Sequence, residues 1–253
     1  MERFVSISRI VIVAALVASA CRKPSSTSQD LEAASVERSK SALLVAVDGT
    51  WLKYDSNSVV SRLHQQWKAK NAGEAIYHAG VQDGIGAADA PSIARELFDG
   101  LCASESAARA GRVYFAGYSR GVLIVLHVAD RLRKECESWR QKSIHFFLVD
   151  GVDHSLPWTD AEGKYWPREL PRGTTGTHFV KTENYGAEDP TIYATREIAG
   201  CIVHPIFRHG RPAEFPNAKN AHTYIAFMDW SVAEIFTDIR TQCVLDGVGR
   251  CLP

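Results

Sequence analysis

The stretch Tyr114–Leu132, "YFAGYSRGVLIVLHVADRL", decides how the chain is read. An apolar, strand-like run closes on Gly117-Tyr118-Ser119-Arg120-Gly121, and an apolar, helix-like run begins at once. The pentapeptide G-x-S-x-G recurs by chance, so its setting carries the argument. A serine held in a tight strand-to-helix turn needs small neighbours, which let the helix and adjacent strands close around it. The helix N-terminus then aims N–H groups and its dipole at developing negative charge. Ser119 is therefore the candidate nucleophile, and the backbone N–H of Arg120 a candidate oxyanion donor. A phosphate-binding turn is the competing reading, but the dinucleotide fingerprint G-x-G-x-x-G is not spelled here.

A serine is inert without a base, and the base needs an orienting acid. After a nucleophile in such a turn, the acid and then the histidine follow in chain order. "HFFLVD" ends in Asp150, at the carboxyl end of the next strand-like run, and Asp153 follows in the same loop. Asp150 is the first choice for the acid and Asp153 the second. Nine histidines compete for the base. "PNAKNAHTYIAFMDWS" places His222 in a loop ahead of the C-terminal helix, where the order requires it. His204 and His209 read as loop residues, His154 comes too early, and His127 reads as packed.

The elements around this centre alternate. "ALLVAV" (Ala42 to Val47) is continuously apolar, as in a strand buried on both faces. "NSVVSRLHQQWKAK" puts Val59, Val60, Leu63 and Trp67 on one helical face. "EAIYHAGV" is strand-like, and "PSIARELFDGLC" is a helix opening at Pro91. The strands "RVYFAG" and "SIHFFLVD" follow, and "DWSVAEIFTDIRTQC" closes the chain as a helix with Ser231 and Glu234 at capping-box spacing. Such alternation implies an α/β fold with a mostly parallel central sheet and helices on both faces. Residues 156–220 read as long loops that cover or build a site.

The N-terminus is of another kind. Arg3 and Arg9 precede the apolar Ile10 to Ala20, so residues 1–20 match a secretory signal, too short to span a bilayer. Ala18-Ser19-Ala20-Cys21 resembles a bacterial lipoprotein box with Ala18 in place of the usual leucine. Cys21 is thus a candidate lipidation site, with plain cleavage as the alternative. Residues 21–40 are polar and serine-rich, a flexible tether ahead of one folded domain, 41–253. The expected location is outside the cytoplasm, as a periplasmic or outer-membrane lipoprotein or a secreted protein. With 29 basic and 29 acidic residues in 253, no global field draws in nucleic acid. Without Cys21 five cysteines remain, and Cys243 with Cys251 is the most economical disulfide. No spacing suits a zinc site, and no cofactor is expected.

Four stretches carry a resemblance: "VAVDGTW" (Val45 to Trp51), "YHAGV" (Tyr77 to Val81), "GYSRG" and "FLVDGVD" (Phe147 to Asp153). With them the chain resembles bacterial α/β-hydrolases, the group of lipase-like hydrolases and the phospholipase effectors of type VI secretion. The resemblance implies an α/β-hydrolase fold with Ser119, His222 and Asp150 as nucleophile, base and acid, acting on an ester or lipid substrate. It also implies that Asp48, Gly49 and Thr50 border the site, with Gly49 or Thr50 giving a second oxyanion N–H. The same "VAVDGT" invites a phosphatase reading of the D-x-D-G-T type, but the nucleophilic aspartate of that motif is Ala46 here. A catalytically silent binding protein on the same fold is the remaining alternative.

Overall fold

Apolar runs buried on both faces set the architecture. The computed structural model describes residues 42–82, 89–152, 166–181, 198–206, 222, 235 and 237. Six strands are β1 (Ala42–Val47), β2 (Glu74–His78), β3 (Arg112–Tyr118), β4 (Ser143–Val149), β5 (Thr175–Lys181) and β6 (Ile202–Ile206). They form one sheet in the order β2-β1-β3-β4-β5-β6, every neighbouring pair parallel. Between them lie helices α1 (Val59–Ala69), α2 (Ala90–Ala103), α3 (Glu105–Arg109) and α4 (Gly121–Glu135).

Alternate side chains of each strand enter different cores. Leu43, Val45, Val47, Val113, Phe115, Phe146 and Leu148 pack with α2 and α4. Leu44, Ala46, Tyr114, Ala116, Phe147 and Val149 pack on the other face with α1 and Ile235. The sheet is thus covered on both faces, which its uninterrupted apolar strands require. Ser58 caps α1, its Oγ accepting the Ser61 N–H at 3.0 Å. Ser104 does the same for α3, accepting from Ala107 at 3.1 Å. A disulfide joins Cys102 in α2 to Cys136 just past α4.

One expectation changes. The segment read as irregular, residues 156–220, contributes β5 and β6, which extend the parallel sheet by two strands. Thr177 and His178 sit buried in β5 and break the apolar run that marks the other central strands. β6 carries Pro205, a residue confined to strands where no ladder N–H is needed. The pair Cys243–Cys251, the capping box at Ser231 and Glu234, and Cys21 lie outside the described residues; the disulfide among those described is Cys102–Cys136.

The strand order reverses between β1 and β3: the chain goes outward to β2, then crosses back to β3. In open parallel sheets the crevice beyond the strand ends at such a reversal is where ligands bind. The loop at residues 48–50 leaves β1 there, and Ser119 leaves β3.

Candidate active site

β3 ends at Tyr118 and α4 begins at Gly121, which leaves Ser119 in the turn with φ of 56°. For a residue with a Cβ this left-handed backbone costs about 1–3 kcal/mol and needs support on all sides. The two glycines make that support possible. A Cβ at Gly117 would stand 2.8 Å from the Gly121 carbonyl and the Val122 Cα, and one at Gly121 would stand 2.3 Å from the Val47 carbonyl oxygen. The turn therefore exists because the start of α4 lies directly against β1 and β3. The Ser119 N–H donates to the Val149 carbonyl at 3.0 Å, tying the turn to the end of β4. Arg120 follows in helical conformation at the start of α4, its side chain buried.

Asp150 leaves β4 in the same backbone region, with φ of 42°, which aspartate tolerates better than most residues. Its N–H donates to the Phe179 carbonyl at 2.8 Å, so β5 holds the turn. His222 joins the two ends. Its Nε2 lies 2.9 Å from Ser119 Oγ and its Nδ1 lies 2.6 Å from Asp150 Oδ2. All three side chains are buried. The backbone at His222, expected to be a loop, is helical. Tyr118 secures it twice: the rings stack at 5.0 Å, and the Tyr118 hydroxyl donates to the His222 carbonyl at 2.7 Å.

Each flank adds a buried titratable group. On one side Asp48, fully buried, accepts hydrogen bonds from the Gly49 N–H at 3.0 Å, from the Tyr77 hydroxyl at 2.9 Å and from Ser58 Oγ. Burial pushes its carboxyl up to about 6 despite those three donors. On the other side His178 accepts the Gly151 N–H at Nε2, 3.2 Å away. Burial pushes this imidazole down to about 4, partly offset by the nearby Asp150 charge.

The structure thus joins Ser119, His222 and Asp150 in one hydrogen-bonded chain and sets Gly49 against the nucleophile, where a Cβ on Gly49 would reach Ser119 Cβ at 3.0 Å. Asp48 turns inward to its own partners, and the Gly49 N–H is committed to it. Asp153, His154 and His209 lie outside the described residues. His127 is packed, its ring stacked on Trp166 at 4.3 Å. Among the described residues no cluster of histidine, cysteine and carboxylate could hold a metal. The sequence alone assigned no role to Tyr118, His178, Ser58 or Tyr77. Only Tyr118 has a local signal, an aromatic immediately before the candidate nucleophile.

No protein-family model matches the chain, and no curated protein does. Among solved structures, a protein of Lactobacillus plantarum WCFS1 described as a cell surface hydrolase aligns with a TM-score of 0.50 and 15% identity, over 82% of this chain and 93% of that one. The fold is α/β-hydrolase-like. A protein of Xanthomonas campestris pv. campestris described as a hydrolase of the α/β superfamily aligns with a TM-score of 0.40 and 16% identity, over 78% of this chain and 99% of that one. The NocB thioesterase domain gives a TM-score of 0.44 and 12% identity, over 81% and 96% of the two chains. At 15% identity the likeness to the first of these concerns the fold and not the substrate.

Proposed function

We propose that this chain is a serine hydrolase that cleaves a carboxylic ester, with Ser119 as nucleophile, His222 as general base and Asp150 as the acid partner. The observation that carries the reading is the unbroken relay from Ser119 Oγ through the His222 ring to the Asp150 carboxylate, at 2.9 and 2.6 Å. In the first step Ser119 Oγ bonds to the ester carbonyl carbon, its proton passes to His222 Nε2, and the carbonyl π pair moves to the oxygen. That oxyanion meets the Arg120 N–H and the loop at residues 48–50. Collapse breaks the bond to the alcohol oxygen, which takes the proton from His222. Water then repeats the sequence on the acyl-serine and releases the acid. Asp150 holds the imidazole in the tautomer that leaves Nε2 free to accept, and it stabilises the imidazolium.

An acyl ester or lipid suits the aromatic surface that follows the loop at residues 48–50 in the chain, where Trp51 is 60% exposed and Tyr54 44% exposed. The lipase-like and phospholipase-like readings belong here as substrate proposals. Export is proposed with them, to the periplasm or as an outer-membrane lipoprotein anchored through Cys21. The Cys102–Cys136 disulfide supports it, since such bonds persist in oxidising compartments. Growth with a clickable palmitate analogue should label the wild-type chain and not Cys21→Ser. Equal labelling, or none in either, sinks the anchor.

The test of the chemistry is covalent labelling of the full chain by a fluorophosphonate. Wild type should label, while Ser119→Ala and His222→Ala should not. A wild type that folds, by its circular dichroism and melting transition, yet stays unlabelled transfers the reading to a binding protein on the same fold.

A further inference from the structure

The loop after β1 is built more elaborately than a connection requires. Asp48 is a fully buried carboxylate, and among the described residues all its hydrogen-bond partners are neutral. They come from three places: the Gly49 N–H in its own loop, Ser58 at the cap of α1, and Tyr77 in β2. Tyr77 is brought there by the β1–β2 register, in which it stands opposite Ala46. A buried carboxylate answered only by neutral donors is costly, and its upward shift to about 6 registers that cost. A purely structural tie at this place would need only neutral groups.

The same loop is clamped from both sides. A Cβ at Gly80 would stand 1.6 Å from the Gly49 carbonyl oxygen, and one at Gly49 would stand 2.6 Å from the Tyr118 ring. Trp51, next along, takes a φ of 62° with its N–H donated to the Val81 carbonyl at 2.8 Å. Between these fixed points sits Thr50. Its hydroxyl oxygen is buried and has no hydrogen-bond partner among the described residues. A buried hydroxyl without a partner is rare, and a catalytic role is one account of it.

We propose that Asp48 is a positioning residue: by holding the Gly49 N–H it fixes the loop so that the Thr50 hydroxyl supplies the second oxyanion donor. This rests on the ester-hydrolase reading of the same site. It also separates the two candidate donors of the loop, because the Gly49 N–H is already spent on Asp48. Arg120 and Thr50 would then hold the oxyanion from the β3 and β1 sides of the strand reversal.

The experiment pairs two disruptive variants of the full chain, Asp48→Ala and Thr50→Val, with two conservative ones, Asp48→Asn and Thr50→Ser. Hydrolysis of a p-nitrophenyl acyl ester gives kcat and KM, and amide hydrogen exchange follows residues 49–52. Loss of one oxyanion donor costs about 10²–10³ in kcat where the site is tight. Both disruptive variants should therefore lose at least about tenfold in kcat with KM unchanged. Both conservative variants should regain most of it, since the asparagine oxygen still accepts from Gly49 and serine keeps the hydroxyl. Exchange at residues 49–52 should quicken in Asp48→Ala alone. Unchanged kcat in Thr50→Val overturns the donor assignment, and a change in KM instead of kcat overturns the positioning role. Should Asp48→Ala not fold, Thr50→Val and its serine partner still decide the donor. A wild type inert to both the ester and a fluorophosphonate sinks the hydrolase reading and the oxyanion role together. The exchange data then judge the anchor alone, and unchanged exchange in Asp48→Ala overturns it.

Discussion

The two flanks of Ser119 solve one problem with opposite chemistry. On the β1 side a buried carboxylate, Asp48, accepts the Gly49 N–H; on the β4 side a buried imidazole, His178, accepts the Gly151 N–H. Each fixes the first residues of a loop that leaves the sheet at the site. Burial acts on both, and because the groups carry opposite charge it moves them in opposite directions, Asp48 up to about 6 and His178 down to about 4. The comparison teaches that a turn N–H beside an active site can be held by whichever acceptor is inexpensive at the working pH. A neutral imidazole satisfies that condition above its shifted range, whereas an ionised carboxylate must find additional donors. Asp48 has Ser58 and Tyr77 for this purpose.

The largest expected effect sharpens this opposition. Asp48 is raised from 3.8 to about 6 in the folded chain, so the folded state holds its proton longer. Its contribution is present below pH 3.8 and is lost as pH rises through 6, about 3 kcal/mol in all. His178 is lowered from 6.5 to about 4, so the unfolded state binds the proton first. Its contribution is present above pH 6.5 and is lost as pH falls towards 4, again about 3 kcal/mol. In wild type the two slopes largely cancel between pH 4 and 6. Urea midpoints across that range should rise with pH in Asp48→Asn and fall with pH in His178→Gln. If both variants follow the wild-type curve, the opposition is absent.

A smaller effect breaks one flank only. His178→Leu leaves the Gly151 N–H buried without its acceptor, which costs about 1–3 kcal/mol. Thermal unfolding at pH 8 should show this loss in full, while His178→Gln, which retains an acceptor, should recover part of it. Equal melting of wild type and His178→Leu would mean that the Gly151 N–H finds another partner. The smallest effect belongs to Tyr118, which stands between the flanks. Tyr118→Phe keeps the ring on His222 and removes one buried hydrogen bond, a loss of about 1 kcal/mol in the same melt.

What could be read beforehand follows from the range of each signal. Ser119 and Asp150 stand at the ends of apolar runs, and a run of that kind declares its own end within a few residues. His222 could be singled out because chain order leaves few late histidines. β5 and β6 could not, since "TGTHFVK" buries a threonine and a histidine where the other central strands use apolar residues. The part played by His178 depends on the β4–β5 register, which sets it opposite Leu148 and so beside the turn at Gly151. Asp48 was visible as part of a short motif, but its burial and its bond to Tyr77 arise only when β2 pairs with β1. Cys102 and Cys136 are separated by 34 positions and meet because α2 and α4 pack together, a long-range fact with no local trace.

That disulfide closes a covalent ring whose circumference includes β3, the Ser119 turn and the whole of α4. A single backbone cut anywhere on the ring opens it without releasing a fragment. The two pieces stay sewn together until a reductant reaches them, so the segment bearing Ser119 is guarded against loss after a nick.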